Sequence, residues 1–194
     1  MLRVTAGTLR GLKLAVPDER AVRPALEMTR QAIFNILGQD FDGLRVADLF
    51  AGSGIMGIEA MSRGAAAAVF VERDRAGAAC IRKNLEKARL TDAAEVIASD
   101  VFHPARYLDA AAPFDLVFID PPFDTMRNSD GQRRMNSLLS ALFDSPAIAQ
   151  AADVVLRLPE KCDFRVEDPR ILLYDDRTYG QSRVIFLCRR PQGG

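Results

Sequence analysis

The chain has 194 residues, 48% hydrophobic and 27% charged, and its 26 basic and 26 acidic residues cancel. That length suits one domain with a substantial core, and zero net charge excludes a protein whose affinity comes from a global positive field, although a local basic patch is enough for phosphate contacts. Cys80, Cys162 and Cys188 are far apart without metal-ligand spacing, and His103 is the one histidine, so no zinc site is expected and the thiols fit a reducing cytoplasm.

The opening "MLRVTAGTLRGLKLAV" lacks the apolar core and cleavage site of a signal peptide, and no run approaches the ~18 apolar residues of a membrane span. Within it, "RVTAG" and "KLAV", parted by "TLRG", predict a small hairpin or extended arm. The first thirty residues carry Arg3, Arg10, Lys13, Arg20, Arg23 and Arg30 against Asp18, Glu19 and Glu27. This local positive excess reads either as a solvated face or as a phosphate-facing one. "LEMTRQAIFNIL" then puts Leu26, Ile33, Phe34 and Leu37 at helical spacing, with Gly38 as a stop.

From there strands alternate with helices. "LRVADLF" is a buried strand, "GIMGIEAMSR" a helix closed by Gly64, "AAVFVE" the second strand and "RAGAACIRKNLEKARL" a long amphipathic helix. "AEVIAS" and "DLVFID" are the third and fourth strands, "RRMNSLLSALF" a helix and "ADVVLRL" the fifth strand. "RILLY" and "RVIFLC", joined by "DDRTYGQS", predict an antiparallel pair at one edge. Such alternation implies an α/β fold, a mostly parallel sheet with helices on both faces.

Ligands of these sheets bind at the C-terminal strand ends. The first strand ends in "DLFAGSGIMG", the second at Glu72, the third at Asp100 and the fourth at "DPPF", Asp120 to Phe123. Turns explain one or two such ends, but four are explained poorly, because a charged group at a buried strand end is costly without a partner.

Gly52, Gly54 and Gly57 satisfy G-x-G-x-x-G, and Glu72 follows at the distance of a ribose-binding carboxylate, which on the bare pattern is a dinucleotide fingerprint. Asp48 argues otherwise. A carboxylate aimed at this loop would repel a pyrophosphate and attract the ammonium and sulfonium of S-adenosylmethionine. The glycines would let the backbone approach the amino-acid part of that ligand. Glu72 suits a ribose diol under either reading. Asp100 suits an adenine amine, or caps the segment starting at Val101.

In "DPPF", Asp120 and the Pro121 carbonyl offer two acceptors on a stiff frame, and the prolines donate no N–H. A nucleobase amine is a poor nucleophile, so acceptors that hold its two N–H groups and turn its lone pair toward a methyl donor would activate it. Phe123 would stack on the base. No cysteine lies near "DPPF" in the sequence, which argues against covalent attack on a pyrimidine ring.

"DLFAGSGIMGIEAMSRGA", "VFVERD" and "FDLVFIDPPF" resemble the Class I methyltransferase core with its amino-methylating (D/N)PP(F/Y) motif. With "RVTAGTLRGLKLAVP", "RPALEMTRQAIFNIL" and "RTYGQSRVIFL", the resemblance narrows to the bacterial RsmD family of 16S rRNA guanine-N2-methyltransferases. It implies a Rossmann-like, mostly parallel seven-stranded sheet with an antiparallel last strand and a small N-terminal extension. An RNA-facing arm and helix would span residues 1–40, and a methyltransferase domain residues 41–190. It implies S-adenosyl-L-methionine as cofactor, no metal, and a guanine of 16S rRNA, within a 30S particle, as target. It assigns the cofactor to Asp48, Phe50, Ala51, Gly52, Ser53, Gly54, Glu72, Asp100 and Val101, and the target base to Asp120, Pro121, Pro122 and Phe123. RNA contact falls to Arg3, Arg10, Arg23 and Arg30. Ala25 and Gln31 depart from the threonine and glutamate usual in the family. Rival readings are an N6-adenine DNA methyltransferase, a protein-glutamine methyltransferase, an oxidoreductase and a non-catalytic RNA-binding assembly factor.

Overall fold

The computed structural model describes residues 2–17, 24–38, 40–108 and 113–191. A two-stranded ribbon, β1 (Leu2–Arg3) and β2 (Lys13–Leu14), precedes α1 (Pro24–Leu37). There follow β3 (Arg45–Leu49), α2 (Ile55–Ser62), β4 (Ala67–Val71), α3 (Arg75–Ala88), β5 (Ala94–Ile97) and β6 (Phe114–Ile119). Then come α4 (Phe123–Met126), α5 (Ser129–Asp144), β7 (Ile148–Pro159), β8 (Ile171–Tyr179) and β9 (Ser182–Arg189). Strands β3 to β9 form one sheet in the order β5-β4-β3-β6-β7-β9-β8. The first five in that order run parallel, and β9 is antiparallel to both its neighbours. Among the described residues no helix is long and apolar enough to cross a membrane.

Several segments extend beyond their expected limits, β7 among them, which begins at Ile148 rather than at the Ala152 of "ADVVLRL". The "RRMNSLLSALF" helix begins earlier, at Ser129, because Asn128 caps it by accepting the Gly131 N–H at 2.8 Å. The "DDRTY" stretch, expected as a connection, continues β8, and the turn shrinks to Gly180 (φ 57°) and Gln181. This part of β8 is at the sheet edge, so charged side chains are tolerated there and the alternation of a half-buried strand is absent. Arg183 of β9 holds Asp176 across the pair at 2.8 Å.

Alternate residues of each strand feed two cores. On one face Val46, Phe70, Phe118 and Phe186 pack with Phe34 of α1, Ile58 of α2 and Ile81 of α3. On the other, Leu49, Val71, Ile119 and Leu156 pack against Met135, Leu138 and Leu142 of α5. Each such fully buried side chain contributes ~1.5–3 kcal/mol of transfer free energy. Gly57 serves the first face: a Cβ there would meet the Phe70 ring at 2.4 Å, so only glycine lets α2 lie this close to the sheet.

The N-terminal segment is strapped to this frame rather than loosely appended. Glu59 of α2 is fully buried and accepts the N–H groups of Thr5 (2.7 Å) and Ala6 (3.0 Å) and the Thr5 hydroxyl (2.6 Å). Ser62 accepts the Leu9 N–H and donates to the Ala6 carbonyl. Further on, Asn84 of α3 accepts the Ala15 N–H and donates to the carbonyls of Ala15 and Ser53. Gly7, at φ 76°, runs so close to α2 that a Cβ would lie 1.7 Å from the Ser62 carbonyl oxygen. Buried polar side chains on two helices thus supply the partners that the short β1–β2 ribbon cannot supply itself.

Candidate active site

Strand order reverses between β3 and β6, the position where an open α/β sheet leaves a crevice. A cleft of about 310 Å³ opens there, lined by Phe50 to Ser53 after β3, Asp120 after β6 and Arg157 of β7. Leu2, Val16 and Pro17 of the N-terminal segment and Arg30 of α1 complete its wall. Glu72, Asp100 and Val101 stand at or just past the neighbouring strand ends but do not line this cleft, and nor do Asp48, Gly54, Pro121, Pro122 and Phe123.

The glycine loop is satisfied from within. The Gly52 N–H goes to Glu72 Oε2 at 2.9 Å, the Gly54 N–H to the Ala51 carbonyl at 2.7 Å and the Gly57 N–H to Asp48 Oδ2 at 3.0 Å. None of the three glycine N–H groups is left to cradle a phosphate, which weakens the case for a dinucleotide pyrophosphate on these glycines. Gly54 begins α2 in the left-handed conformation without a side-chain cap of its own, and Asp48 takes that role from the end of β3. Phe50, at φ 60°, is one of two non-glycine residues in the left-handed region among those described. That conformation costs on the order of 1–3 kcal/mol, and such strain clusters at ligand sites. Its ring meets Phe102 edge-on, 5.5 Å between centroids.

Asp48 is 1% exposed, so its carboxylate does not face the cleft as the loop spacing suggested. Burial pushes its pKa up to about 8, against the Gly57 N–H, and the charges of Asp120 and Glu72 push the same way. An unfolded aspartate is ionised above pH ~4. Between there and pH 8 the folded chain holds the extra proton, so stability declines as pH rises. From pH 6 to pH 9 the loss is on the order of 2–3 kcal/mol. Thermal melts of Asp48→Asn should show a visibly flatter decline over this range than the wild type; equal slopes would refute the assignment.

Glu72 and Asp100 are acceptors already partly engaged. Glu72 Oε1 takes the Asp74 N–H at 2.8 Å. Asp100 Oδ1 takes the Phe102 N–H at 3.1 Å, closing the turn after β5, and its Oδ2 lies 3.4 Å from Arg134 and 3.9 Å from His103. Each carboxylate oxygen keeps a second lone-pair direction for a ligand donor. Val101 is buried beneath that turn. Among the described residues no group of three or more His, Cys, Asp or Glu side chains could hold a metal ion.

Asp120 directly follows β6, where its N–H reaches the Leu49 carbonyl at 3.2 Å. Pro121 is buried, Pro122 exposed, and Phe123 starts α4, so the motif turns sharply from strand to helix. Arg157, which sequence reasoning missed, joins its two ends. Its Nε and Nη2 reach Asp120 Oδ1 at 2.6 and 2.5 Å, and its guanidinium lies 4.6 Å from the Phe123 ring centroid. Its Nη1 donates to the Ser182 hydroxyl at 3.2 Å. The signal was present in "ADVVLRL": an arginine inside a buried strand demands a partner. Cys162 is closer to the motif than its sequence position implies. Its thiol donates to the Met126 carbonyl of α4 at 3.2 Å, but it is buried, its pKa is pushed up by that burial, and it does not line the cleft.

The four arginines expected on an RNA-facing surface divide. Arg3 and Arg10 are exposed on the N-terminal segment, and Arg23 lies outside the described residues. Arg30 is 4% exposed, donates to the Arg3 carbonyl at 2.8 Å and lies 3.9 Å from both Glu27 and Glu59. It ties α1 to the strap and to α2, so it is not a surface charge open to phosphate.

The family model described as Conserved hypothetical protein 95 matches residues 2–188. Ribosomal RNA small subunit methyltransferase D of Escherichia coli strain K12 is 38% identical over 99% of this chain and 92% of its own length. The YlbH protein of Bacillus subtilis is 30% identical over 97% of this chain and all of its own. Among solved structures, yhhF from Escherichia coli superposes with a TM-score of 0.78 at 29% identity, covering 98% of this chain and 99% of that one.

Proposed function

Because the chain belongs to the RsmD family, matched by the Conserved hypothetical protein 95 model over residues 2–188, we propose that it methylates the exocyclic N2 amine of a guanine in small-subunit rRNA, with S-adenosylmethionine as donor. The observation that carries this reading is the cleft itself, where Asp120 of the "DPPF" turn and the glycine loop share one space. The name of the Escherichia coli relative supports an rRNA substrate, and Arg3 and Arg10, exposed on the N-terminal strap, suit its phosphates.

The donor set fits this cofactor. Its ammonium, ribose hydroxyls and adenine amine all need acceptors, and Glu72, Asp100 and the carbonyls of residues 50–53 are acceptors. The N–H groups of Gly52, Gly54 and Gly57 are already bonded. When bound, the cofactor supplies an electrophilic methyl group on a cationic sulfonium. Asp120 and the Pro121 carbonyl hold the two N–H groups of the amine, so that its lone pair is drawn out of conjugation with the ring and localised on nitrogen. Phe123 fixes the plane of the base, and the apolar wall of Leu2, Val16 and Ile119 excludes water. The amine proton leaves through Asp120. In this scheme residues 1–40 form the RNA-facing part and residues 41–190 the methyltransferase domain.

The test is transfer of labelled methyl to unmodified small-subunit particles, naked rRNA and duplex DNA, with the product nucleoside identified by mass spectrometry. N2-methylguanosine from an RNA sample is the expected product. N6-methyladenine from DNA would keep the amine chemistry and overturn the substrate.

A further inference from the structure

We propose that Arg157 is the positioning residue of the target-base subsite: it grips one oxygen of Asp120 and one face of Phe123, leaving the other oxygen and the other face for the base. This rests on the reading that Asp120 and Phe123 receive the base.

The guanidinium is fixed on three sides. Nε and Nη2 converge on Asp120 Oδ1, Nη1 is held by the Ser182 hydroxyl, and the plane lies over the Phe123 ring. Ser182 is itself 3% exposed and paired with Pro159 across β7 and β9, so this anchor belongs to the sheet. Neither Asp120 nor Phe123 has comparable support of its own. Asp120 is the last residue before two prolines, and Phe123 opens a helix of one turn. Among the described residues every hydrogen bond to the Asp120 carboxylate falls on Oδ1. That disposition leaves Oδ2 for an incoming amine. An arginine suits this task where a lysine does not, because one planar group must serve a carboxylate, a hydroxyl and a ring together.

Acting through two other residues, Arg157 should affect the chemical step rather than capture of RNA. In single-turnover transfer with saturating particles, Arg157→Met should lose about 100-fold in rate, as expected when a preorganised acceptor loses its support. Cofactor Kd by calorimetry and KM for the particle should stay within about 3-fold. Arg157→Lys should recover only part of the loss, since an ammonium reaches Oδ1 but neither lies flat on the ring nor reaches Ser182. An unchanged rate would reduce the arginine to a structural ion pair, and a change confined to KM would make it a phosphate contact; either overturns the proposal. A second readout needs no activity. The Arg157 Nε–H resonance should exchange slowly in the protein alone and lose that protection in Asp120→Asn. Fast exchange in the wild type overturns the clamp even if no substrate is found, whereas a clamped but inactive wild type overturns only the proposed function.

Discussion

Asp120→Ala should lower single-turnover methyl transfer by at least about 1,000-fold at saturating cofactor and RNA. Two effects combine. Removing one preorganised hydrogen-bond partner of a developing charge costs about 100- to 1,000-fold, and removing the group that takes the amine proton costs a similar factor. Cofactor affinity should change little, because the acceptors proposed for the cofactor are on other strand ends. The substitution also leaves Arg157, 16% exposed on its side chain, facing Ser182 and the Phe123 ring alone. A modest loss of stability, ~1–3 kcal/mol, is therefore expected alongside. Melting curves run beside the assay separate the two, and a folded Asp120→Ala protein within 10-fold of wild-type activity would remove the carboxylate from the mechanism.

The largest stability effect should come from Glu59, far from the reacting atoms. Its carboxylate collects Thr5, Ala6 and both the Nε and Nη2 of Arg63, the latter at 3.1 and 3.0 Å. The Arg30 Nε lies 3.9 Å away with no hydrogen bond of its own. Glu59→Ala removes a buried anionic partner from Arg30 and Arg63, whose side chains are only 4% and 6% exposed. Breaking a buried ion pair from one side costs about 3–5 kcal/mol. Glu59→Gln keeps one acceptor and should cost less. Urea unfolding measures the loss, and limited proteolysis should show earlier cleavage within the first fifteen residues. Because Leu2 and Val16 wall the cleft, activity should fall further than the folded fraction alone explains. A Glu59→Ala protein as stable as the wild type would mean that the strap is held by Ser62 and Asn84 without it.

The reasons these residues were legible, or not, differ. The strand ends could be read because each apolar run carries a carboxylate at or near its end, Asp48, Glu72, Asp100 and Asp120. What the linear pattern does not carry is burial set by distant segments. Arg30 counts as a surface charge in the sequence, yet Arg3 and Glu59 enclose it; the clue was a glutamate, Glu59, in the otherwise apolar run "GIEAM". Asp48 was legible in position but not in environment, since α2 folds back over it. Arg157 was hidden because its partner is one strand over, and β6–β7 register is not written locally. The charged half of β8 was missed because an edge strand does not need alternation.

The position of β9 has a consequence for synthesis. β8 leaves the ribosome before β9, yet cannot take its place at the sheet edge, because β9, the strand that joins it to β7, does not yet exist. Until then β7 shows an unpaired row of N–H and C=O groups, the kind of edge that recruits foreign strands. The tight turn at Gly180 lets β8 and β9 zip into a hairpin first and insert as one piece. At 5–20 residues per second, Ile171–Arg189 takes about one to four seconds to emerge. Until β9 is in place the β7 edge stays open, so a chain truncated within β9 is expected to keep that edge exposed.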